Sequence, residues 1–283
     1  MQQVLAERIL YKLRGYFRAD RPMGPEDLTL GQDTAEGVIH HCIDSRMLTP
    51  FVLHMTEGEY FDSAGAAAAI PPWREGLGAD LQMAVNLGFP LLNFSHANTI
   101  IIKGHTYCGA VMALYQLLRT RAGGGSQAAR WVLAAMPEGL SEILAGADTE
   151  HAPPILRMME QVIVLQSVLN LHDYIFDAKP MRAMIEQEGA CLIGCIRGLD
   201  KLPNGRYPLA VFDPAKGEFR DIHEIYKDAG SPDLKRMEAA GSWTRYAQEA
   251  GLAIEPGSFV IEKDVRRGID TLIRKLRAEA QAA

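Results

Sequence analysis

The sequence has no uninterrupted apolar run approaching the roughly 20 residues a helix needs to cross a bilayer. One of its more apolar stretches, "MAVNLGFPLLNF", is broken by Asn86, Gly88 and Pro90. A basic excess is also missing: 29 Lys and Arg stand against 35 Asp and Glu, a formal charge of -6. No concentrated basic face exists to bind phosphate, so no nucleic-acid partner is expected. Cysteine is scarce, with four in 283 residues. The opening stretch carries Glu7 and Asp20 and does not read as a secretory signal. Without one, four cysteines do not suggest a disulfide framework, which leaves metal binding, catalysis or burial as their uses. These absences lead to the expectation of a cytoplasmic protein with no membrane span.

What is present is ordinary in bulk and specific in pattern. The apolar fraction of 48% and charged fraction of 23% are those of a globular chain, long enough for one large α/β unit with ample core. "MQQVLAERILYKLRGYFRAD" is amphipathic, and Val4, Leu5, Ile9, Leu10, Leu13 and Phe17 suit a helix lying on another surface, that of a partner subunit being one candidate. "EGVIHHCIDSR" reads as a first strand with its turn and "EYF" as a short strand. "DSAGAAAAIPPW" reads as a loop and residues 80–94 as a helix. "NTIIIKGH" reads as a fully buried strand leading straight into the helix "CGAVMALYQLLRT", the unit from which parallel sheets are built. A long apolar helix, "PPILRMMEQVIVLQSVLNLHDYI", follows with prolines in its first turn. "GACLIGCIRG" and "RYPLAVFD" read as a late strand pair joined at "LPNG", and from "PAKGEFRDI" onward the composition predicts charged helices.

Two strand ends carry the chemistry. Cys42, Asp44 and Arg46 lie at alternate positions where the first strand stops, and "GHTYCGA" puts His105 and Cys108 at the end of another. Ligands of open parallel sheets sit beyond the carboxyl ends of the strands, so both clusters are expected to face one crevice. Two thiolates and an imidazole are a sensible zinc set that leaves a fourth tetrahedral position open. Cys108 is expected near a helix N-terminus, where the positive end of the dipole favours its thiolate. Gly104 and Gly109 are read as permitting tight turning around the pair. His40 and His41 read as strand residues, and Cys191 and Cys195 as small core residues.

"CIDSR" followed by "GHTYCGA" resembles the zinc signature of the β-class carbonic anhydrases, C-x-D-S-R and then G-H-x-x-C-G. The resemblance extends more loosely from about residue 35 to 213 and includes the helix stretch "QVIVLQSVL". It implies an α/β fold with a small, mostly parallel sheet flanked by helices: an N-terminal helical arm over 1–34, a zinc domain over 35–215 and a C-terminal helical extension over 216–283. It further implies zinc held by Cys42, His105 and Cys108, with zinc hydroxide as the nucleophile that turns carbon dioxide into bicarbonate. Asp44 would orient that nucleophile and Arg46 would keep Asp44 ionised; in part of the family the aspartate instead closes the metal site as a ligand. A zinc ion bound by two thiolates should acidify water less than a three-histidine site does. A homodimer or higher homo-oligomer is implied as well.

The sequence departs from the family on the substrate side, where Thr56, Phe61 and Gly109 are the candidate contacts. "GEYFDSAGAAAA" keeps Gly58, Glu59 and Phe61 but lacks the family's arginine and two asparagines, and Thr56 stands where many members have glutamine. Two other readings therefore accompany the first. One is hydrolysis of carbonyl sulfide or carbon disulfide. The other is a zinc-bearing subunit without turnover whose C-terminal extension docks a protein partner.

Overall fold

The computed structural model describes residues 2–17, 35–47, 53, 59–72, 99–120, 126–145, 152–177, 191–241, 243–252 and 262–282. Its strands are β1 (Gly37–Cys42), β2 (Tyr60–Gly65), β3 (Thr99–His105), β4 (Cys191–Arg197), β5 (Leu209–Asp213) and β6 (Glu218–Asp221). They form one six-stranded sheet in the order β2-β1-β3-β4-β5-β6. The first four are mutually parallel, and β5 and β6 join antiparallel at one edge. Every residue of β1, β3 and β4 is buried, as expected of strands covered on both faces, and this is why they read as near-continuous apolar runs. Gly37 opens β1 because nothing larger fits: a Cβ there would lie 1.8 Å from the carbonyl oxygen of Thr99.

Helices cover both faces. The helices are α1 (Gln2–Lys12), α2 (Gly109–Thr120), α3 (Gln127–Ala134), α4 (Leu140–Leu144), α5 (Ala152–Asp177), α6 (Ile222–Asp228), α7 (Leu234–Ala240), α8 (Trp243–Glu249) and α9 (Glu262–Ala282). One core joins Val38, Ile100 and Ile102 of the sheet to α2–α5 and α9. The other joins Ile39, Ile101, Ile193 and Val211 to α1 and α6–α8. The two sets alternate along β1 and β3, as a period-2 strand requires. No described helix is long and apolar enough to cross a membrane.

Three readings of the sequence change here. The apolar face of α1 is buried within its own chain: Ile9, Leu10 and Leu13 pack with Ile39 and Ile101 of the sheet and with α6–α8, not on a partner subunit. The loop expected at "DSAGAAAAIPPW" begins as strand, since β2 runs on to Gly65 in parallel register with β1; pairing overrides the low strand propensity of Asp, Ala and Gly. The charged helices expected from Pro214 onward are preceded by β6, which extends the sheet through Glu218–Asp221. Residues 80–94 lie outside the described residues.

Candidate metal centre

β1 and β3 are adjacent and parallel, so their carboxyl ends open on the same edge of the sheet. Cys42 is the last residue of β1 and His105 the last of β3. Three residues later the chain delivers Cys108 as the N-cap of α2, its carbonyl accepting the Met112 amide at 3.0 Å. The turn between them is tight, and Tyr107 carries the left-handed conformation at φ 58°. Gly104 and Gly109 do not. Gly104 is needed for packing, since a Cβ would lie 2.6 Å from Val164 of α5, and a Cβ on Gly109 would meet nothing within 4 Å. Sequence reasoning placed the conformational demand on the wrong residues of this turn.

One Sγ from each cysteine and one ring nitrogen of His105 all lie within 4.8 Å of one another, and all three residues are buried. The sulfurs are 3.9 Å apart, against about 3.8 Å for two thiolates on a tetrahedral zinc with bonds near 2.3 Å. His105 Nδ1 lies 2.8 Å from the Thr106 carbonyl and donates to it, which leaves the lone pair on Nε2. That Nε2 is buried and has no hydrogen-bond partner. A buried acceptor left open beside two sulfurs is what a metal-binding imidazole looks like before a cation is placed on it. The sulfurs agree. The hydrogen bond from Cys108 draws the Cys42 thiol down to about 4, against its burial and with His105 pulling the same way. The same bond and burial push Cys108 far up. Two sulfurs in contact, one of them drawn toward its thiolate form, suit a divalent cation. The donor set fits a metal.

Asp44 and Arg46 close one side of this group. Asp44 Oδ1 accepts from Arg46 Nε at 2.8 Å and from the Arg46 amide at 3.0 Å, while Oδ2 accepts from the guanidinium at 2.5 Å. Arg46 thus holds the Asp44 carboxyl far below the usual range. Oδ2 lies 3.9 Å from His105 Nε2, outside hydrogen-bond range. Asp44 is not part of the compact donor group, and both of its oxygens are engaged by Arg46.

The substrate-side candidates are not gathered in the same way. Phe61 pairs in register with Val38 of β1, four positions before Cys42 and so about 13 Å back along the strand; it packs against the first core. Gly109 is the first residue of α2. Thr56 lies outside the described residues. After β2, Ala67 and Ala68 adopt φ of 59° and 56°, a conformation that costs about 1–2 kcal/mol per residue. Contacts beyond them hold the segment in place. Trp131 Nε1 donates to the Ala69 carbonyl at 3.0 Å, Ser167 Oγ accepts the Ile70 amide at 3.0 Å, and Asn170 Nδ2 donates to the Ile70 carbonyl at 2.7 Å.

Four residues near the donors escaped the sequence reading. Glu160, buried on α5, accepts the Cys108 amide at 3.0 Å and is paired with Arg157 at 3.2 Å. Lys103, fully buried, donates to the Met47 carbonyl at 3.0 Å, and burial lowers it to about 8. Arg197 donates to the Arg46 carbonyl. Tyr107 donates to Asp200 Oδ2 at 2.9 Å, with the Arg157 guanidinium 3.8 Å over its ring. The signal for Lys103 and Arg197 is visible in "TIIIKGH" and "CLIGCIRG", where a long cation interrupts an otherwise apolar buried strand.

A model of the carbonic anhydrase family matches residues 38–201, more than half of the chain. The chain belongs to the carbonic anhydrase family. The matched stretch contains the three donors, the Asp44–Arg46 pair, Lys103 and Arg197. No curated protein matches the chain significantly. Solved structures similar to it include the β-carbonic anhydrase CcaA, 19% identical over 77% of this chain and 87% of that one, with a TM-score of 0.42. A tetrameric β-carbonic anhydrase from the filamentous ascomycete Sordaria macrospora is 19% identical over 62% and 81%, with a TM-score of 0.42. The β-carbonic anhydrase CafA of the fungal pathogen Aspergillus fumigatus is 18% identical over 74% and 84%, with a TM-score of 0.35.

Proposed function

We propose that this family member catalyses the reversible hydration of carbon dioxide to bicarbonate with zinc held by Cys42, His105 and Cys108. The observation that carries the reading is the open, buried Nε2 of His105 beside two sulfurs 3.9 Å apart, flanked by a carboxylate already locked to an arginine. Zinc bound there would supply Lewis acidity, lowering the pKa of water beside it.

The remaining work belongs to the chain's own groups. Hydration adds the elements of water across one C=O bond and releases one proton. Asp44, ionised, can accept a hydrogen bond from an O–H donor next to the donor group and so aim that oxygen's lone pair at the substrate carbon. Arg46 makes this an orienting role and not a proton-storing one, because a carboxyl held so far below neutrality passes the proton on to solvent. The Asp44–Arg46 turn is partly exposed, so the released proton has a route out. Both Asp44 oxygens accept from Arg46, which supports reading Asp44 as an orienting group and not as a ligand.

Stopped-flow hydration of carbon dioxide by zinc-loaded protein tests this against Asp44→Asn. The expected result is a loss of about 100-fold in the variant with its zinc retained. A wild-type rate no faster than that of the variant would overturn the reading. A parallel assay for sulfide released from carbonyl sulfide reports whether the sulfur analogue is the better substrate.

A further inference from the structure

The turn that carries Asp44 and Arg46 is held from beneath by two buried cations on neighbouring strands. Lys103 of β3 reaches the Met47 carbonyl at 3.0 Å, and Arg197 of β4 reaches the carbonyl of Arg46 itself. These carbonyls are consecutive in the 3-10 turn Ser45–Met47, whose first closing bond runs from the Met47 amide to the Asp44 carbonyl at 2.8 Å. The two cations thus grip the backbone immediately after Asp44.

Arg197 is placed to do more than satisfy a carbonyl. Its Cα pairs in register with His105, so side chain and metal donor start from the same level of the sheet. The strand ends are bolted together there: the Thr106 amide donates to the Arg197 carbonyl at 3.0 Å, and the Leu199 amide to Thr106 Oγ1 at 2.9 Å. The guanidinium carbon lies over Tyr207, 4.2 Å from the ring centroid, a contact that restricts its direction. From β4 it must cross β3 to meet the turn after β1, two strand spacings or about 9.5 Å, a span that a shorter neutral donor would not cover. Arg197 is nine-tenths buried, and its Nε has no partner. Burying a guanidinium is costly, whereas satisfying one carbonyl requires only a neutral donor.

We propose that Arg197, with Lys103 as a second anchor, is the positioning residue for Asp44: it locks the Asp44–Arg46 turn to the end of β4, which is itself bonded to the strand end that carries His105, and so fixes where the carboxylate stands relative to the metal donors. This rests on the catalytic reading above. Freed from Arg197, the turn would let Asp44 shift with respect to the metal position.

The test uses Arg197→Gln and the longer, charge-keeping Arg197→Lys, each alone and combined with Asp44→Asn, in full-length protein loaded with zinc or cobalt. We expect metal content to stay near wild type and kcat and kcat/KM to fall together about tenfold in Arg197→Gln. Arg197→Lys should recover part of the rate. In the Asp44→Asn background the Arg197 change should cost nothing further, since a residue acting through Asp44 loses its effect with it. The visible spectrum of the cobalt form should change in Arg197→Gln and not when Asp44→Asn is already present. Additive losses, or a cobalt spectrum unchanged by Arg197→Gln, would overturn the proposal. If the wild type fails to hydrate carbon dioxide, the catalytic reading falls, and the cobalt spectra still decide whether Arg197 positions Asp44.

Discussion

At the amino ends of β1 and β2, Arg14 donates to Glu36 at 2.6 Å and to Glu59 at 2.8 Å, and Lys12 stands 3.4 Å from Glu36. At the carboxyl ends of β1 and β3, Cys42 and Cys108 bring their sulfurs 3.9 Å apart, and His105 leaves a buried nitrogen open beside them. Both clusters are buried and polar, and both lie against the same sheet. The first is balanced in charge: two cations meet two carboxylates, the donor Nε of Arg14 is left over, and the network ties the end of α1 and the segment after it to the strands. The second is incomplete without a cation. Burial of polar groups does not mark a site; an uncompensated lone pair beside ionisable sulfurs does.

The comparison can be broken from either end. The largest expected effect is on metal affinity: His105→Ala or Cys108→Ser should lower zinc binding by at least 100-fold, read by competition with a chromophoric chelator, while far-ultraviolet circular dichroism stays that of a folded chain. Retention of full zinc by His105→Ala would refute the donor assignment. Next in size is Arg14→Met, which leaves Glu36 to Lys12 and takes from Glu59 its ion pair with Arg14; it should cost about 2 kcal/mol in urea unfolding without changing the zinc stoichiometry of the folded protein. A drop in stoichiometry would show that the two ends are not separable.

The smallest effect is one of pH. Lys12 and Arg14 beside Glu36 outweigh the burial that would raise its carboxyl and hold it below its ordinary 4.5. A group depressed in the folded state stabilises fully above its unfolded value and loses that contribution as pH falls through the folded one. The stability gap between wild type and Glu36→Gln, measured by urea midpoint, should therefore be constant near neutrality and shrink below about pH 4.5. A gap that widens on acidification would reverse the sign of the network's role.

The donor set was legible in sequence because metal chemistry admits few residue types and the motifs place them at strand ends. Cys42, Asp44, Arg46, His105 and Cys108 could be named before any coordinates. The parallel sheet was legible for the same kind of reason, since buried strands leave unbroken apolar runs. The amino-terminal helix was only half legible: periodicity gave its apolar face but not what that face covers, and the structure puts Ile9 and Leu10 against the chain's own sheet. The strand at "DSAG" was illegible because pairing with β1, and not its own propensity, makes it a strand.

The sequence by itself determined which atoms can hold a metal and which carboxylate and guanidinium accompany them, because bonding chemistry is a property of residue type and short spacing. Only the tertiary structure decided that β4 lies beside β3, and therefore that Arg197 reaches the carbonyl of Arg46 and Lys103 that of Met47. Strand order brings together residues about 150 positions apart, 46 and 197, and no local pattern encodes which backbone oxygen a buried cation will meet.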